Sequence, residues 1–199
     1  MKMKCLILGL SPFILTLAIE GLFAHDNETH AATQSMPGSN HWNQAQEPTN
    51  WWNELKQEHG HVGPWNVLGW RMGKAALREL GGTWGQHELE VICYVPLKTP
   101  YSCLADGLVV GTGNSIGRLD IRLGEVMTMT DIHVSVRRKS GAGPVLLLKP
   151  DRQYMARIRH QPDDQLAALS IECSQLPENK LFAIEQLPSS DTEGKPAQN

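Results

Sequence analysis

Pro64-Trp65-Asn66-Val67-Leu68-Gly69-Trp70-Arg71-Met72-Gly73-Lys74-Ala75-Ala76-Leu77-Arg78-Glu79-Leu80-Gly81-Gly82 is the stretch on which the fold turns. A proline at the first position brings a helical φ and loses no hydrogen bond there, and a glycine pair beyond the end allows left-handed termination, so the run predicts a helix over 65–80. Val67, Leu68, Gly69, Met72, Ala75, Ala76 and Leu80 recur at helical spacing, and the small members among them permit close packing. Downstream the period changes to two. Glu88 to Val95 alternates as a strand and is stopped by Pro96 and Pro100, while Cys103 to Val110 reads as a short apolar helix. Arg118 to Leu123 and Val126 to Arg137 read as an antiparallel hairpin around Gly124, and Pro144 to Lys149 as a further strand. Two helices, Asp151 to His160 and Asp163 to Cys173, and a last strand, Leu181 to Leu187, complete an α+β order: an antiparallel sheet packed with helices in a single domain.

The chain's 199 residues, 41% hydrophobic and 20% charged, suit one core and exclude wholesale disorder. Lys plus Arg number 18 against 21 Asp plus Glu, a net charge of −3, so no broad basic face points to nucleic acid. At the front, Lys2 and Lys4 precede an apolar run from Cys5 to Phe23 that closes on Ala24, the layout of a signal peptide over 1–24. Glu20 argues against a stable membrane span, so the mature protein is expected in the periplasm or secreted. Residues 25–50 are polar and poor in aliphatics and read as a flexible arm, 51–187 as the folded domain, and 188–199 as a frayed tail. Cleavage leaves Cys93, Cys103 and Cys173, an odd count in an oxidising compartment. Cys93 and Cys173 lie in apolar contexts that suit either a core thiol or half of a disulfide.

The chemistry concentrates in two segments. In His59-Gly60-His61-Val62-Gly63-Pro64 two imidazoles sit on a glycine-hinged loop just ahead of a helix start, an arrangement that suits a transition metal or, equally, a plain surface loop. In Ser102-Cys103-Leu104-Ala105-Asp106-Gly107 a helix beginning near Ser102 puts Cys103 and Asp106 on one face. Its dipole would lower the thiol pKa toward thiolate, the other reading being a structural cysteine. Gly111 to Arg118 lacks the spacing of a phosphate-binding loop, and its glycines are expected to let it pass close to the His-bearing loop. His87, His133 and His160 read as structural, and a copper site at His25 would need the cut to follow Ala24. Among the six tryptophans, Trp65 stands nearest the His pair, Trp70 and Trp84 read as core, and Trp51 and Trp52 as residues that dock on a partner or cover the site.

Gly60-His61-Val62-Gly63-Pro64 running into Leu68-Gly69-Trp70-Arg71-Met72-Gly73, followed by Ser102 to Gly107 and Thr112-Gly113-Asn114-Ser115-Ile116-Gly117-Arg118, resembles the FmdE-like family, which takes its name from formylmethanofuran dehydrogenase. The family pattern has cysteines where this chain has Gly63 and Asn114, and an acidic residue at Asp106. The resemblance implies an α+β core, a possible homodimer, and a metal or small ligand held near the His and Cys loops. With the chemistry of the donors it points to His59, His61 and Cys103 as metal ligands for zinc or another late first-row ion. Asp106, Asn114 and Trp65 would then support the ligand or touch it. It does not imply formylmethanofuran oxidation by this chain. Three functions stand open at this level: an exported metal-binding protein, a metal-dependent enzyme or accessory subunit of a redox complex, and an assembly protein that uses its tryptophan-rich front.

Overall fold

A computed structural model of the chain describes residues 47–188. The signal segment, Trp42, His25, most of the polar arm and the tail beyond 188 lie outside the described residues. The order of elements is α1 (Trp51–His59), α2 (Pro64–Leu80), β1 (Leu89–Val95), α3 (Cys103–Thr112), β2 (Ile121–Glu125), β3 (His133–Arg138), β4 (Val145–Pro150), α4 (Arg152–Ile158), α5 (Asp163–Gln175) and β5 (Phe182–Leu187), with single 3-10 turns at Met129–Asp131 and Glu178–Lys180. The architecture is α+β, as the periodicities require. The last residues of the arm are held against the domain: Asn50 accepts from the Asn53 amide to cap α1, and Glu47 pairs with Lys74 at 2.5 Å.

The five strands form one sheet in the order β2-β1-β3-β4-β5. Three of the four pairings are antiparallel, but β1 and β2 run parallel, with Val91 opposite Ile121 and Val95 opposite Glu125. The hairpin expected from 118–137 is therefore corrected: its two halves lie on opposite sides of β1. Gly124 is no turn residue. It sits within β2 because the Tyr94 ring of β1 lies against it, and a Cβ at this position would strike that ring. The connection from β1 to β2 is α3, whose Leu104 and Leu108 are buried under the sheet, so β2 has to enter parallel to β1. Residues 126–132 then travel round the end of the sheet, and β3 begins only at His133.

Leu89, Val91, Cys93 and Val95 alternate inward along β1 and meet Val134 and Val136 of β3 and Leu146 and Leu148 of β4 in the core. Each such side chain contributes roughly 1.5–3 kcal/mol by leaving water. Cys93 and Cys173 are both free thiols in this core, which excludes the disulfide reading for the pair; burial pushes Cys173 up to about 12 and Cys93 higher still.

What positions the site is the contact of α2 with α3. A Cβ on Gly69 would overlap the Leu104 carbonyl, and one on Gly107 would overlap the Asn66 carbonyl and lie 2.7 Å from the Trp70 amide nitrogen. The two backbones touch without intervening side chains. Gly111, in turn, packs on Trp70 and Gly113 on Gly85, and Gly113 and Asn114 border a space that Gln57 and Glu58 also line. Trp51 stacks on Trp70 with ring centroids 4.4 Å apart and meets Trp52 edge-on. Trp51 thereby seats α1 on α2, and half-buried Trp52 borders a space that His61 and Val62 also line. Trp84 donates from its indole to the Val110 carbonyl at 2.9 Å. Among the described residues no helix is long and apolar enough to cross a membrane.

Candidate functional site

His59 is the last residue of α1 and His61 lies two beyond it. Gly60 between them has φ +88, a conformation open to glycine at no steric cost, and its amide bonds back to the Lys56 carbonyl at 2.8 Å. The sharp reversal brings the two imidazoles together, with centroids 4.6 Å apart. Asn66, fully buried in the first turn of α2, fixes the rest of the loop: it accepts from the Gly63 amide at 3.0 Å and donates to the His61 carbonyl at 3.1 Å. The same helix holds Cys103 and Asp106 in place, because the glycine contact locks α3 to α2.

From the end of α1, His59 forms a hydrogen bond with Asp106 of α3, Nδ1 donating to Oδ2 at 2.6 Å. A carboxylate on Nδ1 fixes the tautomer and leaves Nε2 with its lone pair, so Asp106 prepares His59 to bind a metal or accept a proton there. Cys103 differs from expectation. Burial, and then the charge of Asp106, push its thiol above the ordinary value, so the helix start does not produce a free thiolate. The backbone of Cys103 itself acts the other way and is outweighed.

His59, His61, Cys103 and Trp65 line one cavity of about 500 Å³. The two distant segments singled out in the sequence do converge. Trp65 forms its buried wall, with the indole donating to the Ile158 carbonyl at 3.2 Å. Asn114 does not belong there. Its side chain is buried, donates to the Leu89 carbonyl at 3.0 Å, and borders a separate space of about 320 Å³ beside Trp84 and Glu58. A Cβ at Gly63, by contrast, would stand 3.5 Å from His61 Nε2, so a cysteine at that position of the pattern would join the His pair, and here the place is bare. Among the described residues no group of three His, Cys, Asp or Glu side chains is gathered so as to hold a metal ion. The donors that are present fit a metal only in part, as a preset imidazole pair with a neutral thiol on the same wall.

The opposite wall was not foreseen. Arg159, His160 and Gln161, from the connection between α4 and α5, face the same cavity, and the only hint in the sequence was a polar break between two helices. A second unforeseen cluster lies elsewhere: Asp120, fully buried before β2, takes hydrogen bonds from His87 at 2.7 Å and from Lys139. Burial raises its carboxyl, but those two bonds outweigh it and hold the group below the usual carboxylate range. This cluster ties β2 to the core and borders no described cavity.

Residues 58–190 match the family FmdE, described as Molybdenum formylmethanofuran dehydrogenase operon. No curated protein matches the sequence.

Proposed function

Because the chain belongs to the FmdE family, with the FmdE-like domain spanning residues 58–190, we propose that it binds a metal ion or a metal-bearing small ligand at His59, His61 and Cys103. The observation that supports this reading is the pairing of Asp106 with His59 on a cavity that the other two residues also line. The volume, about 500 Å³, favours a small ligand over a bare ion, since a ligand can bring the donors that the protein wall lacks. Zinc or another late first-row ion suits two imidazoles and a sulfur. Membership is consistent with a protein associated with formylmethanofuran dehydrogenase, and an accessory place in a multi-subunit complex belongs to the proposal. So does export: the basic start and apolar run of 1–24 would carry the domain to the periplasm or outside the cell. The proposed homodimer is tested by sedimentation.

A metal-dependent enzyme is the second reading, favoured by the same Asp106–His59 pair, which could accept a proton from a bound water or substrate. Metal analysis of the purified protein decides the first point. Stoichiometric metal that is lost in both His61→Ala and Cys103→Ser supports the site, and equal content in all three proteins refutes these ligands.

A further inference from the structure

We infer that this cavity is a binding site for an oxyanion, the carboxylate or phosphate of a small organic molecule, with Arg159 as its charged partner and Trp65 and Ile158 beneath its apolar body. The inference rests on the reading of the cavity as a ligand site and not on the metal. Arg159 donates from Nε to His160 Nε2 at 3.1 Å, which orients the guanidinium, and among the described residues no carboxylate pairs with it. Its neighbour Arg157 is different, being held by Glu172. A guanidinium fork on a cavity wall, fixed at one nitrogen with its remaining donors uncommitted, is matched by a planar oxyanion.

One carboxylate, Asp163 in the first turn of α5, shares the cavity wall with Arg159. Of the carboxylates nearby, Asp106 is engaged by His59, and Asp163 also borders the neighbouring space of about 470 Å³ that holds Lys56. Helices α2 and α5 begin on the cavity, at Pro64 and Asp163, and α1 and α4 end on it, at His59 and Ile158. Helices α1 and α4 begin away from it and are capped by Asn50 and Asp151. The two helix starts and two helix ends offset one another, so the fixed positive charge on this cavity is that of Arg159. Trp65, Pro100, Ile158 and Leu166 supply the apolar surface for the rest of the molecule.

The test compares benzoate and phenyl phosphate with the neutral isosteres benzamide and benzyl alcohol, by calorimetry on the full, metal-free chain. The anions are expected to bind about tenfold or more tightly than the neutral compounds, the worth of a charge-assisted hydrogen bond, and to shift the indole N–H resonance of Trp65. Arg159→Gln, an exposed position that leaves the core untouched, should abolish the preference, whereas Arg152→Gln, an exposed arginine that does not line the cavity, should keep it. Equal binding of charged and neutral probes, an unchanged preference in Arg159→Gln, or no binding at millimolar concentration overturns the proposal. Zinc uptake is measured without any organic probe, so a native protein that takes up zinc but shows no anion preference overturns this proposal alone, and one that shows the preference without zinc overturns only the metal reading.

Discussion

Replacing Gly107 by alanine tests the joint on which the site depends. The added Cβ would lie 2.8 Å from the Asn66 carbonyl carbon and 2.7 Å from the Trp70 nitrogen, both backbone atoms that cannot swing aside. Carbon atoms approach comfortably at about 3.5–4.0 Å, so α3 has to withdraw from α2 by roughly 1 Å. Forced insertion of a methyl into a packed contact costs about 1–3 kcal/mol, and a double backbone overlap belongs at the top of that range. Alanine regains about 1 kcal/mol of helix propensity. The net loss is then about 2 kcal/mol, or roughly 8 °C in Tm for a domain of this size. Urea and thermal denaturation followed by tryptophan fluorescence measure it, with Gly117→Ala as the control, since a Cβ there meets nothing nearer than Ser115 Oγ at 3.7 Å. Should Gly107→Ala denature within about 0.5 kcal/mol of the native protein, the backbone-to-backbone reading of the helix pair is wrong.

Asp106→Asn removes the charge that sets the His59 tautomer, and zinc affinity by competition with a chromophoric chelator should fall about 10–100-fold, whereas an unchanged affinity would show that the carboxylate does not support a metal ligand. Asp120 is held below its ordinary pKa, so its contribution to stability is full above about pH 3.9 and fades as the pH drops through the lowered folded value; the gap in Tm between native protein and Asp120→Asn should shrink in that acid range and stay constant above it. A gap that widens on acidification contradicts the network. Alkylation mapped by mass spectrometry should label half-buried Cys103 before Cys93 and Cys173, whose thiols are sealed in the core, and equal rates would refute that order.

The helix at 64–80 was legible because proline and glycine mark its ends and its apolar stripe is continuous. Helix α1 was not: Trp51 to His59 buries only Leu55, and the stacking of Trp51 on Trp70 that seats it is a tertiary fact with no local trace. Gly124 misled for a related reason, since a glycine required by the Tyr94 ring and a glycine required by a turn look alike in a sequence. The convergence of His59, His61 and Cys103 on one cavity was readable only from the family resemblance together with the chemistry of the two loops. Arg159 and His160 were not, because nothing local says that a connection far along the chain faces them. Nor could Asp120, His87 and Lys139 be joined before the strands that carry them were placed.

The glycine contact between α2 and α3 leaves the cavity with two unlike halves. One half is anchored main chain to main chain, so any substitution that re-aims its imidazoles or its sulfur also disturbs the core. The other half hangs on the short run 159–161, whose Arg159 and His160 are exposed and can change in charge without entering the core. Selection for a new ligand would find its cheapest route through that run, as a fixed jaw lets a vice take different work by changing only the sliding one.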